Sequence, residues 1–315
     1  MNMTFHKYQG AGNDFLIADN RDGHITEKDG VLTTVLEDGS VWVKAIADLC
    51  DRRYGVGADG LMLLDKGTRT EVQDGTDFHM TYFNSDGSGG MMCGNGGRCI
   101  VAFAYDCGVP GVRPDLHPES GQEDCLVKYV FTAADGPHEA YILEAEGRAK
   151  TVRLKMKDVH EAQAYESLTG PEVPSKGWFL DTGTRHYVRF IEDVDGHDIV
   201  TEGRDIRYKA MELQPIGANV NFVEPHPGHL KVRTYEKGVE DETFACGTGI
   251  VASALASYIT GIAPKSTAPD GRVSYDIQAK RDSLSVDFIP GKSEVGREVF
   301  LTGPAEYIGK IFIFA

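Results

Sequence analysis

Short apolar runs bounded by Gly, Asp or Asn recur along the chain and predict a strand-rich protein. Runs of about four to eight apolar or alternating residues between such turn residues are typical of β-strands. They occur at 15–18, 61–64, 78–83, 141–144, 187–191, 221–224, 231–235, 298–302 and 311–315. A helical pattern occurs at 41–49, 100–105 and 250–259. The last two of these segments follow Gly-rich turns and stop before Gly and Pro, which end helices.

Two similar turns introduce the last two predicted helices. Each turn has the pattern Cys-Gly-x-Gly, and the two cysteines, Cys93 and Cys246, are 153 residues apart, about half the chain length. An aromatic and a polar residue precede each turn at similar offsets, at 82–84 and 234–236, and 12–15 is loosely echoed by 183–186. Ordered echoes of this kind indicate an internal repeat. We therefore predict an α+β fold of two similar halves, each a mainly antiparallel sheet around one central helix, related by a pseudo-twofold axis.

The predicted domain boundary lies near 132–136, at a polar Asp-Gly-Pro turn that begins at position 135. It follows a strand-like run, and polar turns rich in Gly and Pro are common between domains. The predicted domains are an N-terminal half, 1–132, with the first Cys-Gly-x-Gly turn, and a C-terminal half, 133–303, with the second. The last strand, about 304–315, could return to the first half.

Charge and composition narrow the choice of partners. The chain has 48 acidic and 32 basic residues, a net charge of −16, which disfavours nucleic acid and anionic membranes as partners. It still allows a small anionic substrate, because a local pocket can reverse the overall sign. No run approaches the ~18 apolar residues of a membrane span, and the N-terminus lacks the apolar run of a secretory signal. Six cysteines are too few for a disulfide scaffold, so we expect a cytoplasmic protein.

Cysteine at a helix start suggests acid–base chemistry. The first turn of a helix presents unpaired backbone N–H groups and the positive end of the helix dipole, which favour a thiolate and can hold a carboxylate. If Cys93 and Cys246 lay on opposite sides of one carbon, a thiolate could remove a proton while a thiol delivered another. The stereocentre would be inverted without a cofactor. Backbone N–H groups aimed at the substrate carboxylate would stabilise the developing negative charge.

The remaining cysteines and two further polar residues have weaker signals. Cys50, Cys107 and Cys125 fit the common role of cysteine as a small buried hydrophobe, and Cys99 is expected to pack inside its helix. No Cys-x-x-Cys pair occurs, so a zinc site is not expected. His186 lies in the segment that echoes 12–15 and Glu236 in the segment that echoes 82–84, and either could tune the protonation of the cysteines.

The chain resembles the diaminopimelate epimerase family at MMCGNGGRC (91–99) and ACGTG (245–249). The resemblance also covers 10–15, 84–87 and 233–236. It implies a two-domain, pyridoxal-phosphate-independent epimerase that interconverts LL- and meso-diaminopimelate for lysine and peptidoglycan synthesis. The family pattern makes Cys93 and Cys246 the acid/base residues, with His186 and Glu236 as modulators of their protonation. The substrate contacts that it implies are Asn13, Asn84, Gly94, Asn95, Thr184, Asn219, Glu236, Lys237, Gly247 and Thr248. The expected partner is a small amino-acid substrate, and family members are commonly homodimers.

Three departures from the family pattern leave the substrate open. Gly60 stands where some relatives have a glutamine, Thr184 where many have asparagine, and Lys237 where an arginine would grip a distal carboxylate. Lysine keeps the positive charge but lacks the planar guanidinium group, which can donate two parallel hydrogen bonds to a carboxylate. One alternative is therefore a racemase or epimerase of the same fold that acts on another amino acid. A second alternative is a non-catalytic protein that binds a dicarboxylate at the two helix starts.

Overall fold

Two compact units make up the chain. The computed structural model describes residues 2–90, 93–113, 125–170, 176–291 and 295–314. One unit comprises 1–154 with 304–315, and the other comprises 155–303. The division therefore falls after Leu154 and not at the predicted boundary after Thr132. The reason is local: the Asp-Gly-Pro turn joins two paired antiparallel strands inside the first unit, where Ala133 lies opposite Gly136.

The first unit is built mainly of strands. They are β1 (Asn2–Gly10), β2 (Asn13–Asn20), β3 (Thr26–Lys28), β4 (Val31–Val35), β5 (Val41–Ala45), β6 (Gly60–Asp65), β7 (Phe78–Asn84), β8 (Val127–Ala133), β9 (Gly136–Glu146) and β10 (Ala149–Lys155). Its α-helices are α1 (Ile46–Cys50), α2 (Arg69–Gln73) and α3 (Gly94–Asp106). The last strand of the chain, β20 (Arg297–Phe314), pairs antiparallel with β1 over its final part.

The second unit has a similar content. Its strands are β11 (Ala162–Tyr165), β12 (Gly177–Asp181), β13 (Arg185–Phe190), β14 (Asn219–His226), β15 (His229–Glu236), β16 (Asp241–Thr243), β17 (Ser266–Thr267), β18 (Val273–Gln278) and β19 (Ser283–Ile289). Its α-helices are α4 (Ile199–Lys209) and α5 (Gly247–Ile259), and a 3₁₀ turn spans Met211–Leu213. The first part of β20 pairs antiparallel with β19.

Strand pairing repeats between the units. In the first unit the order β1, β2, β6, β7, β8, β9 alternates antiparallel and parallel pairs, beginning and ending with an antiparallel pair. In the second unit β12, β13, β14, β15, β18, β19 follow the same alternation. The α+β class with two similar halves is therefore confirmed. Most of the described strand pairs are antiparallel, as predicted, and the parallel pairs are β2–β6 and β7–β8 in the first unit and β13–β14 and β15–β18 in the second. The pseudo-twofold axis stays a prediction.

In each unit, the helix that begins at the Cys-Gly-x-Gly turn packs against the sheet. In α3 the residues from Gly94 to Ala104 are all buried, and the helix contacts β1, β2 and β9. In α5 the residues from Gly249 to Ser257 are buried, and the helix contacts β13 and β14. Glycine, alanine and serine make up seven of the 13 residues of α5, and such small side chains let a helix lie close to the strands that it covers. Both helices therefore begin at a position that the sheet fixes.

The segment 41–49 was predicted to be one helix, and that prediction is wrong. Val41–Ala45 forms β5, paired with β4, and only Ile46–Cys50 is helical. Trp42 is fully buried, whereas its neighbours Val41 and Val43 are exposed. Burial of every second residue is typical of a β-strand, and β-branched and aromatic residues favour strands.

Candidate active site

Cys93 caps the N-terminus of α3. Its backbone is extended (φ −105°, ψ 141°), and its sulfur accepts a hydrogen bond from the backbone N–H of Gly96 at 3.2 Å. Its carbonyl accepts from the N–H of Gly97 at 2.7 Å. The thiol is partly exposed. A sulfur that accepts from the first turn of a helix lies in a setting that favours the thiolate. The two methionines before Cys93 in the sequence motif lie outside the described residues.

A chain of hydrogen bonds connects this turn to the start of β2. The amide Nδ2 of Asn95 donates to Oδ1 of Asn13 at 2.6 Å, and Nδ2 of Asn13 donates to Oδ2 of Asp59 at 2.9 Å. At the other end, Nη2 of Arg98 donates to Oδ1 of Asn95 at 2.8 Å. A cation thus stands at one end of the chain and a carboxylate at the other. This order fixes which amide atom each asparagine presents.

Asn84 ends β7, and Gly60 lies opposite it in the ladder with β6. Nδ2 of Asn84 donates to Oγ of Ser88 at 3.0 Å. A Cβ added at Gly60 would lie 2.7 Å from the carbonyl oxygen of Phe83 and 2.8 Å from the ring of Tyr82. The tyrosine ring therefore fills the space that a side chain at position 60 would need.

Cys246 is the N-cap residue of α5 in the second unit, although its side chain makes no cap hydrogen bond of the kind seen at Cys93. Its backbone is again extended (φ −102°, ψ 108°), and its carbonyl accepts from Ile250 N–H at 2.9 Å. The residue is 8% exposed, and its sulfur lies 3.5 Å from Oγ1 of Thr248. Both cysteines thus occupy the same position, the cap of a sheet-packed helix, as the repeat predicted.

His186 joins the Cys246 turn through hydroxyl groups. Its Nε2 lies 2.9 Å from Oγ1 of Thr184 and 2.9 Å from Oγ1 of Thr248, and the two hydroxyl oxygens are 3.0 Å apart. The imidazole is fully buried, and this burial lowers its pKa to about 3. His186 is therefore neutral at physiological pH and acts as a hydrogen-bonding group, not as a charge.

The buried imidazole predicts a pH dependence of stability in wild type. Because the folded pKa lies below the unfolded value of about 6.5, the unfolded chain binds a proton that the folded chain excludes. The contribution to stability is complete above pH ~6.5 and falls as the pH drops toward about 3. At pH 4.5 we expect a loss of roughly 2 to 3 kcal/mol relative to pH 7.5. The His186→Gln variant should lack this part of the loss in urea unfolding followed by circular dichroism; an equal loss in both proteins would contradict it.

Three further predicted residues lie at the ends of β14 and β15. Oδ1 of Asn219 accepts from the backbone N–H of Lys237 at 2.8 Å, and its Nδ2 donates to the carbonyl of Arg185 at 3.1 Å. Glu236 is half-buried, and its carbonyl accepts from Glu240 N–H at 2.8 Å. The side chain of Lys237 is exposed. The structure thus brings Asn219 beside the backbone of Lys237.

Sequence reasoning missed several polar residues that support these turns. Thr182 donates through Oγ1 to the carbonyl of Thr248 at 3.0 Å, and the buried side chain of Asn221 contacts His186. In the first unit, Arg98 and Asp59 lie at the two ends of the series of hydrogen bonds that runs through the two asparagines. Only Asn221 had a usable signal. It lies two residues after Asn219 on the same strand, and residues two apart face the same side of a sheet.

The surroundings of the other cysteines are those of structural rather than reactive thiols. Cys50 and Cys99 are buried, as predicted, whereas Cys107 and Cys125 are only partly buried. Burial raises the pKa of Cys50 and of Cys107 to about 11 in each case, and burial also raises the pKa of Cys99. A raised pKa keeps a thiol protonated and unreactive.

In the described part of the chain, no helix is both long and apolar enough to cross a membrane. The described side chains also form no group of three or more His, Cys, Asp or Glu residues suited to a metal ion.

Comparison with known proteins gives both sequence relatives and structural neighbours. The family model for diaminopimelate epimerase matches residues 5–123 and 178–288. The chain is 37% identical to the diaminopimelate epimerase of Flavobacterium psychrophilum over 97% of its own length and 98% of the relative's. It is 38% identical to that of Aquifex aeolicus, over 96% and 94%.

Solved structures share the fold at low sequence identity. A probable proline racemase from Agrobacterium radiobacter, with bound carbonate, matches with a TM-score of 0.64 at 14% identity, covering 98% of this chain and 92% of that one. A phenazine biosynthesis protein from Bacillus anthracis matches with a TM-score of 0.63 at 12% identity, covering 100% of both chains.

The repeated α+β fold and the full-length sequence relatives define the chain as an isomerase. More particularly, it belongs to the diaminopimelate epimerase family.

Proposed function

We propose that the chain interconverts LL- and meso-diaminopimelate by a two-base mechanism in which Cys93 and Cys246 act on one Cα from opposite faces. The observation that carries the proposal is the equivalent placement of the two cysteines, each capping the sheet-packed helix of its unit. Family membership supplies the substrate. The proposed role is in lysine and peptidoglycan synthesis, as the sequence resemblance implies, and the proposed location is the cytoplasm.

The proposed reaction needs one thiolate and one thiol. The thiolate removes the Cα proton and becomes a thiol, while the opposite thiol delivers its proton to the other face and becomes a thiolate. Atoms and charge balance without a redox step or a cofactor. After one turnover the two cysteines have exchanged protonation states, so the enzyme is then ready for the reverse direction.

Backbone N–H groups would hold the substrate α-carboxylate. Gly94–Asn95 and Gly247–Thr248 supply N–H groups in the first turns of α3 and α5, which have no partners inside the helix. Such donors stabilise an anion before and during proton removal, when charge moves from Cα onto the carboxylate. Asn13, Asn84 and Asn219 offer amide groups to the rest of the substrate.

This chain would recognise the distal end of the substrate differently from relatives that follow the family pattern. Lys237 is exposed and provides a flexible ammonium group for a distal carboxylate, where an arginine would give a fork. Tyr82 occupies the space beside Gly60, so this chain cannot make the substrate contact that a glutamine at position 60 would make. Thr184 contributes a hydroxyl that hydrogen-bonds to His186. Because of these differences, the second candidate function is epimerisation or racemisation of another amino acid.

Hydrogen–deuterium exchange at Cα tests the proposal and its alternatives together. The protein is incubated in heavy water, under reducing conditions, with LL-diaminopimelate, meso-diaminopimelate, glutamate, lysine and proline in separate reactions. We expect deuterium at Cα with the two diaminopimelates and not with the other amino acids. Exchange of another amino acid alone would make the chain a racemase of different substrate range. Binding without exchange of any would make it a dicarboxylate-binding protein.

A homodimer is the expected assembly, because members of the family are commonly dimers. Sedimentation equilibrium tests this part separately, and a monomer would leave the proposed chemistry unaffected.

A further inference from the structure

Asn221 is a fully buried amide whose two ends are both held. Its Oδ1 accepts a hydrogen bond from Oγ1 of Thr234 at 2.9 Å. Its Nδ2 lies 3.3 Å from the carbonyl oxygen of Tyr187 and 3.1 Å from Nδ1 of His186. A backbone carbonyl can only accept, so the atom that faces Tyr187 must be the NH₂ group. The amide orientation is therefore determined by its surroundings.

This orientation determines which nitrogen of His186 carries the proton. Nδ1 faces an NH₂ donor, so it must be the acceptor and cannot itself be protonated. The imidazole is neutral because it is fully buried. A neutral imidazole carries one proton, which is therefore on Nε2.

The proton on Nε2 sets the direction of the hydroxyl hydrogen bonds. Nε2 lies within 2.9 Å of the Thr184 and Thr248 oxygens and can only donate to them. Neither hydroxyl hydrogen can then be directed at Nε2. Two acceptors then remain for the hydrogen of Thr248: the hydroxyl oxygen of Thr184 at 3.0 Å and the sulfur of Cys246 at 3.5 Å. When the Thr184 hydroxyl donates to Thr248, the hydrogen of Thr248 is directed at the sulfur.

We propose that Asn221 is a positioning residue that fixes the Nε2–H tautomer of His186, so that the Thr248 hydroxyl donates a hydrogen bond to the sulfur of Cys246. This inference rests on the proposed function, because its consequence is a more stable Cys246 thiolate for proton removal. Asn221 does not touch the substrate in this account. It acts through three groups in sequence: an imidazole, a hydroxyl and a thiol.

Close packing supports the role of Asn221. A Cβ added to Gly249, in the first turn of α5, would overlap Oδ1 of Asn221 and lie 3.2 Å from Cε1 of His186. Only glycine lets the helix start approach these two side chains so closely. The Cys246 turn, His186 and Asn221 are therefore packed as one group.

Nitrogen-15 NMR of histidine-labelled protein tests the tautomer directly, whether or not the protein is an epimerase. The His186 signals are assigned by their absence in His186→Gln. We expect Nδ1 unprotonated and Nε2 protonated, and in Asn221→Asp we expect a proton on Nδ1, because a carboxylate can only accept there. A wild-type spectrum with Nδ1 protonated would overturn the proposal.

The pH dependence of Cys246 alkylation tests the effect on the thiol. Alkylation by iodoacetamide is followed by mass spectrometry of the peptide that contains Cys246, in wild type, Asn221→Leu, Asn221→Asp, Thr234→Val and Thr234→Ser. Loss of a hydrogen bond to the thiolate should raise the alkylation midpoint by about one pH unit in Asn221→Leu. Thr234→Val should raise it in the same direction, since Oδ1 of the amide loses its donor, and Thr234→Ser should keep the wild-type midpoint.

Asn221→Asp keeps the test valid if Asn221→Leu does not fold. A wild-type midpoint in Asn221→Asp, with the same tautomer by NMR, would show that the amide is not needed and would overturn the proposal. Failure of the proposed epimerase reaction would leave both readouts measurable, so the two failures can be told apart.

Discussion

Replacing Cys93 or Cys246 with alanine is expected to abolish epimerisation, lowering kcat by about 10³-fold or more. Each cysteine caps the N-terminus of its helix, and in the proposed reaction each handles one of the two protons. Neither proton transfer can then be omitted, so either single variant should lose almost as much as the double variant. The measurement is conversion of LL- to meso-diaminopimelate by chiral chromatography. An alanine variant that kept a tenth or more of the wild-type rate would refute the two-base mechanism.

A matched control is available on the same helix. Cys107 follows the last residue of α3, at the opposite end from Cys93, and is likewise only partly buried. Cys107→Ala should therefore keep wild-type kcat. In the alanine variants at 93 and 246, isothermal titration should still detect diaminopimelate, because the backbone N–H donors of the turns remain. Loss of binding together with turnover would indicate that the turns had been disrupted rather than that an acid or base had been removed.

Local signals in the sequence predicted the elements whose burial pattern is simple. The run 61–64 lies within β6, which is flanked by β2 and β7 and is buried almost throughout. The helix starts at Cys93 and Cys246 were also predicted, because Gly-rich turns before apolar runs have few other interpretations. β1 was missed. Its alternation breaks between Lys7 and Tyr8, where the register with β20 shifts by a bulge.

Long-range relations were harder to predict. The turn at 132–136 has the same composition whether it joins two domains or two strands of one hairpin, and only the pairing of β8 with β9 decides between them. In the candidate site, the contact of His186 with Thr248 joins residues 62 apart in the chain, and no local pattern encodes it. Asn95 and Asn13 are 82 residues apart and were proposed separately, without their shared hydrogen bond. Side-chain networks of this kind depend on tertiary packing.

Replacing Arg98 with methionine is expected to destabilise the first unit by about 3 to 5 kcal/mol. The guanidinium is fully buried and donates to Oδ1 of Asn95 at 2.8 Å and to the carbonyls of Gly94 and Pro304 at 3.3 Å each. Methionine fills a similar volume but leaves these acceptors without their donor. Each buried acceptor that loses its partner costs about 1 to 3 kcal/mol.

Tryptophan fluorescence can report on the first unit alone. The chain has two tryptophans: Trp42, buried in the first unit, and Trp178, on β12 of the second. Urea unfolding in a Trp178→Phe background therefore follows the unit that contains Arg98. Arg53 is exposed, and Arg53→Met should change stability by no more than about 0.5 kcal/mol. If Arg98→Met differed from Arg53→Met by less than ~1 kcal/mol, the buried guanidinium would not be a structural requirement.

Replacement of Arg98 should also affect catalysis, through the hydrogen bonds that connect Arg98, Asn95 and Asn13. Without Arg98, Oδ1 of Asn95 loses its cationic donor, and the amide can turn so that it no longer donates to Asn13. Arg98→Lys keeps the charge but loses the planar fork, so it should recover much of the stability while the two amides stay poorly ordered. We therefore expect Arg98→Lys to raise KM for diaminopimelate about tenfold with a smaller change in kcat. Wild-type KM in this variant would mean that Asp59 alone orients Asn13.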